Sequence, residues 1–180
     1  MDADDVRPPT VLILASGRGE RFLASGGKVH KLKALLHGKP VLEHTLDAVR
    51  ASGLPWHLED AGHPGMGDSI AAAVGATADA NGWLILPGDL PLVRPTSLQA
   101  VADQLNRAHI VVPVYGRGDA KARGHPVGFP RLCKCDLLAL SGDRGASILL
   151  KRYPVTELPV EDPGVMADVD TVEDLARLSR

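Results

Sequence analysis

The chain has 180 residues, 20 of them Lys or Arg and 22 Asp or Glu, with a formal net charge of -2. That length suits one domain able to bury its own core, and the near-balance of charge excludes a global field for nucleic acid or anionic lipid, so any anion site must be local. Cys133 and Cys135 have no second pair to complete a metal cage, and MDADDVRPP lacks the apolar core of a signal peptide. With no apolar run near the ~20 residues of a membrane helix, the expectation is a cytoplasmic protein with neither nucleic-acid nor membrane partner.

Thr10 to Ala15 is almost continuously apolar, the pattern of a parallel strand covered on both faces. Residues 1–9 read as a flexible N-terminus and 10–180 as the domain. Ser16 to Lys31 has no hydrophobic period and reads as a long loop. Pro40 opens a helix to about Ser52, with Leu42, Leu46 and Val49 on one face, and Gly53 closes it. Residues 54–65 are poorly patterned, with Trp56 and Leu58 placed for a brief strand. Asp68 or Ser69 can cap a helix to about Thr77.

Gly82 to Leu86 reads as a second clear strand, Thr96 as the cap of a helix to about Arg107, and His109 to Val114 as a third strand. Gly116 to Gly128 is a glycine-rich basic interruption, either an irregular excursion or an antiparallel strand pair. Leu132 to Leu140, which holds both cysteines, and Ala146 to Lys151 look helical, and Val155 to Val160 extended. Thr171 and Asp174 have the spacing of a capping box for a last helix. The alternation of strand and helix is that of an open α/β sheet.

Gly17 and Gly19 lie just beyond the first strand. Glycine turns bring backbone amides close to an anion, and Arg18, Arg21, Lys28, Lys31 and Lys33 add charge enough for several phosphate oxygens. A plain connecting loop with solvated basic side chains is the alternative. The spacing fits neither a Walker loop nor a dinucleotide-binding fingerprint, which argues against an ATPase or a dehydrogenase. Asp89, in LPGDLPLV, lies past the carboxyl end of a strand, where open α/β sheets place ligands. A carboxylate at a phosphate site calls for Mg²⁺, a hard ion that arrives with phosphates; an exposed turn Asp is the alternative. Asp168 and Asp170, in MADVDTVEDLARL, share one side if extended. Like charges so placed seek a cation or a shared proton, unless they merely begin the last helix.

LASGRGERF at 14–22, Lys31, and GKPVL at 38–42 together resemble the signature of the MobA-like nucleotidyltransferases. The resemblance covers nearly all of residues 10–178 and implies a single three-layer Rossmann-like α/β domain with a mostly parallel sheet, of the nucleotide-diphospho-sugar transferase type. It implies nucleotide contacts at Leu14, Ala15, Ser16, Gly17, Gly19, Arg21, Lys31, Ser69 and Asp89, and catalytic roles for Lys31, Arg18 and Asp89. Lys31, eight residues before the lysine of GKP, is the phosphate lysine by this match, in preference to Lys28 or Lys33. Asp89 matches the metal-binding GDxP element, Asp170 the second Mg²⁺ contact, and Asp168 the same shell.

GHPVGF at 124–129 and GDRGA at 142–146 look like elements of the molybdenum cofactor cytidylyltransferase branch, which implies acceptor contacts at Arg123, His125 and Arg144. His125 has no acid–base partner at a readable spacing, so recognition suits it better than proton transfer; the remaining histidines assign to nothing. Gly65 to Ala71 resembles the family's helix start near the base, with Ser69 matching and Gly67 and Asp68 departing. Ser16 stands where cytidylyltransferases carry alanine and guanylyltransferases glycine. The segment from Gly53 to Gly65 is shorter than in the family, which inserts a strand, a helix and a strand there.

The reaction implied by the resemblance is transfer of CMP from CTP to molybdopterin or the molybdenum cofactor, with release of pyrophosphate, and it is compatible with transient contact with a molybdenum hydroxylase. Three alternatives stand beside it: guanylyl transfer from GTP, another small phosphorylated acceptor, or a noncatalytic nucleotide or pterin carrier.

Overall fold

The computed structural model describes residues 7–105 and 108–180. Among the described residues the strands are β1 (Thr10–Leu14), β2 (Leu35–Leu36), β3 (Lys39–Pro40), β4 (Trp56–Glu59), β5 (Gly82–Pro87), β6 (Ile110–Tyr115), β7 (Ala122–Arg123), β8 (Val127–Pro130) and β9 (Val155–Pro159). The α-helices among them are α1 (Glu20–Ala24), α2 (Val41–Ser52), α3 (Met66–Ala76), α4 (Pro95–Gln104), α5 (Lys134–Leu138) and α6 (Val172–Leu178).

Period-two alternation makes three layers. Val11 and Ile13 of β1, with Leu84 and Leu86 of β5, face α2 and α4 in one core. Leu12 and Leu14, with Trp83 and Ile85, face α3 and α5 in the other. Strands that feed both cores read as unbroken apolar runs, because neither face meets water. The seven-stranded sheet runs β4-β1-β5-β8-β6-β7, with β9 also on β6. Its β1–β4, β1–β5 and β6–β9 pairs are parallel, while β8 lies antiparallel to β5 and β6. This is the mostly parallel α/β fold expected of the sequence.

Local differences have identifiable causes. The 16–31 segment is not all loop: it holds α1, and a 3-10 turn follows at Lys31–Lys33. Phe22, Leu32, Ala34 and Leu36 join Val41 and Val169 in a third small core, spaced too irregularly to show a period. α3 begins at Met66 after Gly65, earlier than Asp68 or Ser69 suggested, because the Asp68 carboxylate is spent on the Gly142 amide. α4 begins at Pro95, and Thr96 is not its cap: Asp162, from far along the chain, accepts from the Arg94 amide and the Ser97 hydroxyl. Its expected end at Arg107 lies outside the described residues.

The basic interruption resolves into β7 and β8, each paired with β6. The 132–140 segment is helical as expected, a 3-10 turn at Arg131–Cys133 running into the short α5, whereas 146–151 is a 3-10 helix; Cys133 is buried while Cys135 is exposed. The shortened middle segment supplies β4 alone before α3 starts, and β4 ends the sheet. Arg7 and Pro8 are exposed and Pro9 is buried; residues 1–6 of the expected flexible N-terminus lie outside the described residues.

Candidate active site

A cleft of about 650 Å³ opens above the carboxyl ends of β1 and β5. Its floor is set by β5, which delivers Asp89 just past Pro87. Gly88 donates to the Leu14 carbonyl at 2.9 Å, and the Thr45 hydroxyl caps the Gly88 carbonyl at 2.9 Å. The Val169 amide then reaches the Asp89 carbonyl at 3.0 Å, stitching the 168–170 segment to the same turn. Asp170 is fixed by the start of α6. The capping box of Thr171 and Asp174 is formed as the sequence predicted, Asp174 also takes the Asp170 amide, and the Val172 amide donates to Ser25 Oγ at 2.9 Å.

Lys31 lies between these two carboxylates. Its Nζ is 2.5 Å from Asp89 Oδ2 and 3.0 Å from Asp170 Oδ1, and Arg21 adds a contact to Asp170 Oδ2 at 2.8 Å. Burial would lower the Lys31 pKa, but the charge and hydrogen bonds of Asp89, then those of Asp170, override it and hold it above the ordinary lysine value. Leu32 and Ala34 are buried, while Lys28 and Lys33 are exposed and outside the cleft lining.

The other wall is the glycine loop. Among the described residues, the backbone amides of Ser16, Gly17, Arg18, Gly19 and Glu20 donate to no protein group. Gly19 has φ 66, a left-handed conformation that glycine adopts without cost. Successive unpaired amides in such a turn form an anion-binding concavity. Arg18 and Arg21 line the same cleft with mostly exposed guanidinium groups. Leu14, Ser16 and Ser69 also line it, and the Ser16 hydroxyl donates to the Glu59 carbonyl at 3.1 Å. Ala15 packs against the third core, its amide bonded to the same Glu59 carbonyl.

Asp168 is exposed, on the same stretch as Asp170 with buried Val169 between them. Partial burial, then the charges of Asp170 and Asp89, push its carboxyl pKa up. Among the described residues no three His, Cys, Asp or Glu side chains converge into a complete metal cage. Two carboxylates nevertheless suit a divalent ion that takes its other oxygens from phosphate and water. Asp89 Oδ1 is a buried acceptor with no hydrogen-bond partner, and the Lys31 ammonium already occupies the cationic position between the carboxylates.

The three acceptor candidates separate. Arg123 is on β7, paired with Glu157 at 3.1 Å outside the cleft lining. His125 is close enough to feel the Asp89 charge; burial lowers its pKa against the opposing pull of Asp89 and of the Ile85 carbonyl, and its Nδ1 is buried without a partner. Arg144 is exposed, and it is its neighbour Asp143 that lines the cleft. The 141–144 backbone presses so closely on the start of α3 that a Cβ at Gly65 would lie 2.2 Å from the Gly142 carbonyl oxygen.

Histidines left unassigned by the sequence have work here. His30 bonds Gly17 and Leu32. Glu59, buried at the end of β4, takes His63 at 2.9 Å and His57 at 3.2 Å, and His63 lines the cleft. These contacts join loops whose spacing in sequence carries no periodic signal.

The model of the MobA-like NTP transferase domain matches residues 48–157. The chain belongs to this family. Among curated proteins it is similar to the bifunctional protein GlmU of Desulfitobacterium hafniense, 30% identical in an alignment 120 residues long that covers 55% of this chain and 25% of that protein. The chain thus spans about a quarter of the length of the curated relatives it matches. Rv0371c of Mycobacterium tuberculosis superposes with a TM-score of 0.76 at 28% identity over 95% of this chain and 97% of its own, and it has also been solved in complex with manganese. Molybdopterin-guanine dinucleotide biosynthesis protein A of Archaeoglobus fulgidus shares the fold, with a TM-score of 0.63 at 19% identity over 94% of this chain and 96% of its own.

Proposed function

We propose that this member of the family transfers CMP from CTP to the terminal phosphate of molybdopterin, in its molybdenum-loaded form, and releases pyrophosphate. The observation that carries the nucleotidyl-transfer reading is Lys31 held between Asp89 and Asp170 at the edge of a loop with unpaired amides. Simple binding of a nucleotide needs the amides but not the paired carboxylates, so an enzyme is favoured over a carrier.

An acceptor phosphate oxygen forms a bond to the α-phosphorus as the bond from that phosphorus to the bridging oxygen breaks, and pyrophosphate carries the electron pair away. The acceptor oxygen is already anionic, so no strong general base is needed. Catalysis then rests on alignment and charge neutralisation. The amides from Ser16 to Glu20, with Arg18 and Arg21, hold the β- and γ-phosphates. Lys31 follows the charge onto the leaving pyrophosphate, releasing the two carboxylates. Mg²⁺ held by Asp89 and Asp170, with Asp168 nearby, would supply charge neutralisation at the α-phosphate; the manganese complex of the M. tuberculosis relative supports a divalent ion. Ser69 and Ser16 belong to the nucleoside end of the cleft, and His125 and Arg144 to the acceptor side; Arg123, paired with Glu157, is the weaker acceptor contact.

The molybdopterin acceptor is supported by the GHPVGF and GDRGA elements, and by the shared fold of the A. fulgidus protein. Guanylyl transfer from GTP is the second reading, because Ser16 stands at the position that separates the two branches, with its hydroxyl donated to the Glu59 carbonyl. Pyrophosphate release measured with CTP and GTP in parallel tests both. Release with CTP and acceptor alone supports the first reading, preference for GTP the second, and release with neither overturns both.

A further inference from the structure

His30 joins the two walls of the phosphate site. Its Nε2 is 2.6 Å from the Gly17 carbonyl oxygen, and its Nδ1 accepts from the Leu32 amide at 3.3 Å as the cap of the 3-10 turn that opens with Lys31. Since Nδ1 accepts, the ring proton sits on Nε2 and is donated to Gly17, which fixes the neutral tautomer. The ring also packs under the loop: a Cβ at Gly19 would lie 3.2 Å from Nε2.

The geometry points to His30 as a positioning residue that sets the glycine loop and Lys31 in register for a triphosphate. In a trans peptide the carbonyl and the following N–H point in opposite directions. Tying the Gly17 carbonyl to His30 therefore turns the Arg18 amide away from the ring, and that amide is one of those left unpaired along the cleft. The second bond holds the turn that aims Lys31 at Asp89 and Asp170. One imidazole thus fixes both an amide donor and the phosphate lysine before any ligand arrives. Preorganisation of this kind is what lets oriented dipoles act without reorganisation during the reaction. The inference rests on the nucleotidyl-transfer reading.

Two substitutions separate the bonds. In His30→Asn the shorter side chain can still cap the Leu32 amide, as asparagine does at helix starts, but it does not span to Gly17. His30→Ala loses both. Calorimetric titration with Mg²⁺ and CTP, GTP or CMP, together with steady-state turnover, provides the test. For His30→Asn the expected result is triphosphate affinity weaker by about tenfold, the scale of one lost hydrogen bond of about 1.4 kcal/mol, with CMP affinity within about twofold and turnover reduced less than in His30→Ala. His30→Ala is expected to lose affinity to the same degree and turnover in addition. Triphosphate affinity in His30→Asn equal to wild type, or CMP weakened as much as CTP, overturns the positioning role. A wild-type protein that binds neither CTP nor GTP overturns the nucleotide reading instead. In that event nitrogen NMR of the His30 ring judges the clamp by itself: an Nε2–H tautomer that is lost in Gly17-loop deletions supports it, and an Nδ1–H or averaging ring overturns it.

Discussion

The Lys31 ammonium stands 2.5 Å from Asp89 and 3.0 Å from Asp170, a protein cation placed where two carboxylates converge. Its side chain is only 16% exposed, so the pair is not a screened surface bridge. Replacing Lys31 by Met leaves two carboxylates facing one another with nothing between them. The expected outcome is a loss of about 1–3 kcal/mol of stability, together with tighter Mn²⁺ binding in the absence of nucleotide. Thermal unfolding with and without Mn²⁺ checks both: the ion should raise the Lys31→Met melting temperature more than that of wild type. Equal responses contradict the shared cation position.

Glu59 is a buried carboxylate between His63 and His57. Burial alone would raise its pKa, but hydrogen bonds from His63, then His57, then the Ala61 amide outweigh it, and the value lies below the ordinary glutamate range. A folded-state pKa below the unfolded one contributes stability that is present above the unfolded value and lost as pH falls through the folded value. Wild-type stability should therefore fall more steeply than that of Glu59→Gln as pH drops through about 4.3 and below. Urea unfolding at pH 5 and pH 3 gives the comparison; parallel slopes in the two proteins would remove Glu59 from the acid response.

Gly65 admits the 141–144 loop against the start of α3, where a Cβ would sit 2.2 Å from the Gly142 carbonyl oxygen. Backbone rather than a side-chain tip is in the way, so Gly65→Ala should cost about 1–3 kcal/mol, the range of overpacking. Because the shifted loop carries Asp143 into or out of the cleft, nucleotide KM should rise as well. Unfolding and kinetics on the one variant check both, and unchanged stability contradicts the close approach.

The two cysteines differ in burial. Burial, and then the charge of Asp136, pushes the Cys133 thiol up to about 12, while Cys135 is exposed. Thiolate is the reactive form. Iodoacetamide at pH 8 should modify Cys135 and spare Cys133 in the folded protein, read by peptide mass; early labelling of Cys133 would contradict its burial.

What was legible beforehand follows from how local each determinant is. β1, β5 and α2 announced themselves because their apolar residues feed the two main cores in regular order, and the Thr171–Asp174 capping box lies within one turn of chain. Lys31, Asp89 and Asp170 were reached through motif resemblance, and the fold brings them together from 58 and 139 positions apart. α1 was read as loop because Phe22 is its one buried anchor, and one apolar side chain makes no period. The true partner of the α4 start, Asp162, lies 65 positions from Ser97, so Thr96 looked like the cap. His30 and Glu59 were missed because their roles are bonds to backbone and side chains of other loops, which no spacing encodes. Arg123 carried a plausible charge in the sequence, but Glu157 on β9, which like β7 pairs with β6, claims it.

The most direct measurement is pyrophosphate release from CTP and from GTP, with and without Mg²⁺ and molybdenum-loaded molybdopterin, in wild type and Asp89→Asn. The account predicts release from CTP that requires both the ion and the acceptor, and that falls by about 100-fold or more in Asp89→Asn, with a smaller change in KM. Release undiminished in Asp89→Asn, or no release from either nucleotide under any of these conditions, contradicts it.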